Sequence, residues 1–368
     1  MEAILITEDR GREGSSSSVP IRHLTCTLPA YEQRLGQLEE RFGFDPAVTQ
    51  IFGIVGMAGI GKTILARKHF DKWKKRLAVN MMLMGIHERS KNEEGSDWLI
   101  QDDKIFKSKS FIFLDDVSEK TQIQSLLDNL HRIKKGSKIV ITTRDKSWIR
   151  REVDDTYVVP GLNEKEALQL FHYHAFHNQD YSPTKNITKL SKKFVDYAGG
   201  NPLALEELGK ELCGKKEGHW ETRIKTLPHC CNEIIRRELK VSYDKLTDQQ
   251  KDGFLDIACF FSSKDKDCLT SLLASEDFHK PDEAVNVIGD LAHKFMIRVS
   301  AGNIEMPDIL CSLGKELGLF ASVDNLGKSR LWDHNTVSKA LVGKEVRIID
   351  LCFHDIIIEK KLLKLMLI

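Results

Sequence analysis

Residues 51–63 read IFGIVGMAGIGKT, and no other stretch restricts the fold as tightly. The apolar run at 51–55 predicts a buried strand. Gly56, Gly59 and Gly61 let the backbone turn sharply and bring its N–H groups against phosphate oxygens. A helix begins directly afterwards, and its N-terminus carries a partial positive charge of about half a unit. The spacing Gly56-x-x-x-x-Gly61-Lys62-Thr63 is that of the phosphate-binding Walker A loop. Gly56, Met57, Gly59, Ile60, Gly61, Lys62, Thr63 and Ile64 are therefore the candidate nucleotide contacts. Lys62 supplies a point charge to the outer phosphates, and the Thr63 hydroxyl is a ligand for Mg²⁺. A chance glycine-rich turn has no need of a strand before it and a helix behind it.

Further apolar runs build a sheet around this loop. AVNMMLMGI at 78–86 predicts a second strand, and FIFL at 111–114 a third. The third is apolar throughout, as suits a parallel strand covered on both faces. It runs straight into Asp115 and Asp116, which fall at the ligand-binding edge of an open α/β sheet. Standing alone, this pair reads equally as a strand-to-turn junction. Downstream of a Walker A loop it reads as Walker B: Asp115 holds Mg²⁺, and Asp116 orients or activates the attacking water. A fourth strand at 138–142 leads into Thr143 and Arg144. Arg144 is either a sensor of the terminal phosphate or an ordinary surface arginine. Residues 157–159 predict a fifth strand, closing a parallel sheet with alternating helices.

Composition excludes other classes. With 55 Lys and Arg against 54 Asp and Glu, the chain is not a general binder of nucleic acid or membrane surfaces. No apolar run reaches the length of a bilayer span. The eight cysteines have no framework spacing, which points to a reduced compartment, cytoplasmic or nuclear. His172, His174 and His177 invite a metal reading. At helical spacing His172 and His174 point to different sides, so a solvated or partly packed face is favoured.

Residues 8–20 are polar and serine-rich and read as a flexible lead-in. Leu35, Leu38 and Phe42 share one face of a helix that precedes the first strand. Beyond Pro160 the pattern turns helical. Asn163 caps one helix, a second stops at Gly199-Gly200, and Asn201-Pro202 opens a third as cap and first residue. Thr247 to Gln250 form a capping box before DGFLDIACFF, read as one central helix. A helix at 283–294 follows, then a hairpin around Ala301-Gly302-Asn303. Helices plus a hairpin suggest a winged-helix unit, although no basic recognition helix is evident. Residues 346–368 are strand-like and then Leu/Lys-rich.

The order of motifs resembles the NB-ARC module of plant intracellular immune receptors, in the branch with an N-terminal TIR domain and C-terminal leucine-rich repeats. GMAGIGKT, FIFLDDV, GSKIVITTRD, GGNPLALEELG and LKVSYDKLTDQQKDGFLDIACFF carry the likeness, with KSRLWDH at 328–334. The resemblance implies a P-loop NTPase of the α/β class: a parallel sheet, then a helical subdomain, then a winged-helix subdomain. It divides the chain into a lead-in (1–27), a nucleotide-binding α/β domain (28–162), a helical ARC1-like subdomain (163–235), a winged-helix ARC2-like subdomain (236–327), and a linker with the start of repeats (328–368). It implies ADP or ATP with Mg²⁺ as cofactors. Pro202 is implied to touch the adenine, or else serves the helix start alone. Arg144 takes the sensor position.

Three departures stand out. No TIR domain is expected ahead of the loop, so its NAD-cleaving activity is not carried over. A truncated form with essentially no repeats is expected. Met306-Pro307-Asp308 stands where the family has Met-His-Asp. Proline brings no imidazole and no N–H, so the expectation is weaker retention of ADP.

The leading expectation is an ADP/ATP-binding molecular switch of plant innate immunity. Its partners would be other immune receptor chains or copies of itself, joined through the NB-ARC module, with no sequence-specific nucleic acid and no membrane span. Hydrolysis is weak at most. The alternatives are a truncated adaptor or decoy of full-length receptors, and a slow ATPase whose turnover is itself the function.

Overall fold

Five short apolar segments alternate with helices along the first half of the chain, and in the computed structural model they meet as one parallel sheet. The structure describes residues 29–43, 47–74, 77, 79–83, 104–176, 183–261, 264–265 and 281–324. It divides into two units. The first takes in residues 1–173, 200–206 and 293–295, and the second the remainder.

In the first unit the elements run α1 (Pro29–Phe42), β1 (Gln50–Val55), α2 (Lys62–Trp73), β2 (Val79–Leu83), α3 (Lys104–Lys107), β3 (Ser110–Leu114), α4 (Gln124–Asp128), β4 (Lys138–Thr143), α5 (Lys146–Ile149) and β5 (Asp155–Val158). The strand order is β2-β3-β4-β1-β5. β4 is central, and β1 lies between it and the edge strand β5, pairing in parallel with β4 (Ile54 opposite Thr142) and with β5 (Ile54 opposite Tyr157). β4 lies between β1 and β3, with Ile141 opposite Leu114. Successive side chains of a strand point to opposite faces, so a strand covered on both sides is apolar at every position. One face carries Phe52, Ile54, Phe111, Phe113 and Val140 against Leu38, Leu65 and Phe70 of α1 and α2. The other carries Ile51, Val55, Ile112, Leu114, Ile139 and Ile141 with Leu126 and Ile149. This is the α/β class that the strand pattern predicts.

In the second unit lie most of the remaining helices. α6 (Glu164–Phe176) begins in the first unit and ends in the second. Its start is a reciprocal cap: Asn163 Oδ1 accepts from the Glu166 N–H at 3.0 Å, and the Glu166 carboxylate accepts from the Asn163 N–H at 3.0 Å. α7 (Lys185–Ala198) stops at Gly199, whose φ of 57° is the left-handed helix end that glycine permits. α8 (Pro202–Leu212), α9 (Glu217–Thr226), α10 (Glu233–Asp244) and α11 (Asp248–Asp256) follow. Trp220 of α9, 1% exposed, stacks on Phe176 and meets Phe194 edge-on, each at 5.8 Å.

The Thr247–Gln250 capping box is present. The stretch after it departs from the single α-helix expected. The α-helix ends at Asp256, and Ile257–Phe261 continues as a π-helical turn. That wider turn packs against the helix at Asp308–Asp324, where a Cβ on Gly314 would come 2.3 Å from the Ala258 Cβ. β6 (Lys264–Asp265), α12 (Pro281–His293), β7 (Arg298–Ser300), β8 (Asn303–Glu305) and α13 (Asp308–Asp324) are the last of the described elements. The hairpin forms as expected, with Ala301 and Gly302 at φ 47° and 82° in its turn. β6 adds a third, antiparallel strand that no sequence signal marks. Pro307 accepts backbone hydrogen bonds from Leu310 and Cys311 at the head of α13, a role that needs no N–H of its own.

His172 is half-buried and His174 buried in α6. His177, the lead-in at 1–27, the KSRLWDH motif and the apolar tail at 346–368 lie outside the described residues. No helix among the described residues is long and apolar enough to cross a membrane.

Candidate functional site

The loop between β1 and α2 folds as its glycines dictate. Gly59 and Gly61 have φ of 73° and 98°, a region that L side chains enter only with strain. Both also lack room. A Cβ on Gly59 would meet Leu203 Cβ at 2.9 Å, and one on Gly61 would meet the Tyr31 hydroxyl at 2.8 Å. Gly61 is the residue before α2 and gives it no side-chain cap. The N-terminus of α2 thus faces the loop, where a helix start suits an anion. The Lys62 ammonium, 7% exposed, donates to the Met57 carbonyl at 2.9 Å. The lysine is folded over its own loop.

Asp115 ends β3 on the same edge. Its Oδ1 accepts from the Thr63 hydroxyl at 2.9 Å and from the Thr142 hydroxyl at 2.6 Å. Burial holds this carboxyl above its usual range, while the Thr142 and Thr63 bonds and the Lys62 charge pull the other way. Asp116 turns into the left-handed region at φ 56°. Its N–H donates to Thr142 Oγ1 at 2.8 Å, and Val117 N–H donates to the Thr142 carbonyl at 2.9 Å. Arg144 closes on Asp116 with two prongs, Nε to Oδ1 at 3.0 Å and Nη2 to Oδ2 at 3.4 Å. Both side chains are over four-fifths buried, so this pair is poorly screened. Asp145, next along, caps α5 through Ser147 and pairs with Lys294 at 2.5 Å. Burial raises the Asp145 carboxyl. Lys294 and Ser147 more than offset that and leave it below the usual range.

The structure thus brings the loop residues 56–64, Asp115, Asp116 and Arg144 to one edge of the sheet. Pro202 comes to the loop as well, through its neighbours. Asn201 Nδ2 donates to the Ala58 carbonyl at 2.8 Å, and Leu203 N–H to the Gly59 carbonyl at 3.3 Å. All of these lie within the first unit, which includes residues 200–206. Two participants escape the sequence reading. Asn201 reads there only as a helix cap, and Thr142 only as the end of a strand. The signal for Thr142 is the strand order, which sets β4 between the loop-bearing β1 and the acid-bearing β3.

The donor set suits Mg²⁺. A hydroxyl and a carboxylate, both hard oxygen ligands, lie 2.9 Å apart in a buried corner beside a lysine. Thr63 and Asp115 would hold the ion, which when bound neutralises charge on the outer phosphates. The chain's own groups would supply the cradle: loop N–H groups toward phosphate oxygens, Lys62 as the cation beside them, and the Asp116–Arg144 pair at the same sheet edge.

Comparison with known proteins bears on the family and the fold. The NB-ARC domain model matches residues 76–181, which takes in Asp115, Asp116 and Arg144. Disease resistance protein LAZ5 of Arabidopsis thaliana is 40% identical over 331 residues, 83% of this chain and 28% of that protein. Disease resistance-like protein CSA1, from the same plant, is 40% identical over 90% of this chain and 30% of its own length. For disease resistance protein RPS4 the figures are 40%, 84% and 27%. The chain spans under a third of the length of these relatives. Among solved structures, a Walker-type ATPase of Pyrococcus abyssi superposes with a TM-score of 0.57 at 11% identity, covering 77% of this chain and 95% of that one. That likeness concerns the fold alone, and the fold is that of a P-loop NTPase.

Proposed function

The chain carries an NB-ARC domain homologous to those of Arabidopsis disease resistance proteins, and from that premise we propose that it is a nucleotide-dependent switch in plant defence signalling. ADP or ATP binds with Mg²⁺ on the loop after β1, and exchange between them biases the conformation of the chain. The observation that carries this reading is the meeting of Thr63 with Asp115 at 2.9 Å beside Lys62. Loop and acid come from strands that are not neighbours, and their meeting supports the reading as a phosphate–metal site.

The Arg144–Asp116 pair favours a switch over an ATPase that works by turnover. A carboxylate committed to a guanidinium is a poor base for water. Hydrolysis is therefore slow and resets the switch. Self-association through the NB-ARC domain, or association with other receptor chains, is the readout that follows exchange. A ligand can bias such an equilibrium only by its differential contacts with the two states.

The test is the nucleotide that stays with the purified protein. Denaturing the protein and separating the released nucleotides should give ADP close to one per chain. Lys62→Ala should release little or none. Equal retention by the variant, or no nucleotide on the native chain, would remove the basis for the proposal.

A further inference from the structure

We infer that Thr142 is a positioning residue for the metal: its hydroxyl fixes which oxygen of Asp115 is left to a Mg²⁺ ion. This rests on the reading of the edge as a Mg²⁺–nucleotide site.

A threonine hydroxyl has one proton to give and two lone pairs to accept with. The Asp116 N–H can only donate, and it lies 2.8 Å from Thr142 Oγ1. The Thr142 proton is therefore directed elsewhere, and Asp115 Oδ1 stands 2.6 Å away to accept it. The hydroxyl is a relay of fixed polarity. It ties the backbone of one acid to the carboxylate of the other. Thr142 is wholly buried, so water does not compete for these bonds.

Thr63 also donates to Asp115 Oδ1, at 2.9 Å. A cation held by both Thr63 and Asp115 takes the place of the hydrogen bond between them. Thr142 is then the side-chain donor left to hold Asp115 in place. The strand order is what makes this possible. β4 separates β1 from β3, so its end lies beside both the loop after β1 and the carboxylate after β3, and Thr142 reaches Asp115 from there. The same hydroxyl holds Asp116 at its left-handed φ of 56°, so loosening it disturbs both acids. Groups that orient a metal ligand in this way are worth about 10- to 100-fold in metal affinity.

The experiment is a Mg²⁺ titration of the full chain, read by the fluorescence of bound N-methylanthraniloyl-ADP, with EDTA as the zero. Thr142→Val keeps the shape and removes the hydroxyl. The half-saturating Mg²⁺ concentration should rise about 10-fold or more, with affinity in EDTA changed less than twofold. Thr142→Ser keeps the hydroxyl and should titrate like the native chain. A Val variant within twofold of native overturns the inference. So does a Ser variant that shifts as far as Val, since the hydroxyl would then not be what holds the carboxylate. If the Val variant does not fold, Thr142→Ala read against Thr142→Ser, which differ only in the hydroxyl, carries the same expectation. Failure of the native chain to bind the fluorescent ADP at all would strike the proposed function instead.

Discussion

His69 shows how far a single side chain can be taken from its solution behaviour. It sits on the inner face of α2, 4% exposed, with ring contacts to Phe42, Trp73 and Phe111 at 6.0 to 6.1 Å. Its Nδ1 has no hydrogen-bond partner. Burial, and then the charge of Lys72, push its pKa down from 6.5 to about 4. Glu39 and Lys138 share the small cavity beside it. The folded state therefore keeps His69 neutral where the unfolded chain takes up a proton. The stability that this gives is whole above pH 6.5 and is lost as pH falls toward 4. The full effect is about 3 kcal/mol. His69→Phe should flatten that part of the acid response. Urea unfolding at pH 7 and pH 4.5 measures it, the native chain losing roughly 2–3 kcal/mol more than the variant. An equal loss in both would place the proton elsewhere. The corner around Asp115 follows the same logic at residue scale. Lys62 and Thr63 are legible because their partners in the motif are their neighbours in sequence. The pairing of Asp116 with Arg144 is not, because 28 residues separate them and only the sheet brings them together.

At the scale of elements, the loop after β1 is held by α8 rather than by the sheet alone. Asn201 is the hinge-pin of that contact, 3% exposed and 143 residues from its partner Ala58. Its Oδ1 caps α8 by accepting from Ala204 N–H at 3.2 Å, while its Nδ2 serves the loop. The two roles separate by substitution. Asn201→Ala loses both, at about 1 kcal/mol for the cap and a further 1–3 kcal/mol for the stranded Ala58 carbonyl. Asn201→Asp keeps an acceptor for the cap and loses the donor to the loop. The expected order of ADP affinity is native, then Asp, then Ala, measured beside urea unfolding. An Asp variant that binds ADP like the native chain would show that the Ala58 bond does not hold the loop. The Asn-Pro pair announces a helix start in any sequence, which is why the cap is readable and its second task is not.

For the molecule as a whole, every residue assigned to the nucleotide falls in the first unit, including Pro202 and its neighbours from residues 200–206. A ligand that binds only the folded form raises stability by mass action, about 2.7 kcal/mol at one hundred times its dissociation constant. The melting temperature should therefore climb with ADP when Mg²⁺ is present, without a plateau at stoichiometry. A melting temperature indifferent to ADP at millimolar concentration would mean that the cradle is not formed. Read alone, the sequence determined the phosphate loop, the five strands, the acids at the end of the third, and the caps of the later helices. Each of these depends on residues within a few positions of one another, where spacing and propensity suffice. The tertiary structure decided what meets what. It set β4 between β1 and β3, so that Thr142 reaches Asp115. It drew residues 200–206 to the loop, turned Asp116 toward Arg144, and opened the helix after Asp256 into a π turn. Those outcomes depend on strand order and on the packing of distant segments, and a linear pattern of apolar and polar residues carries no record of either.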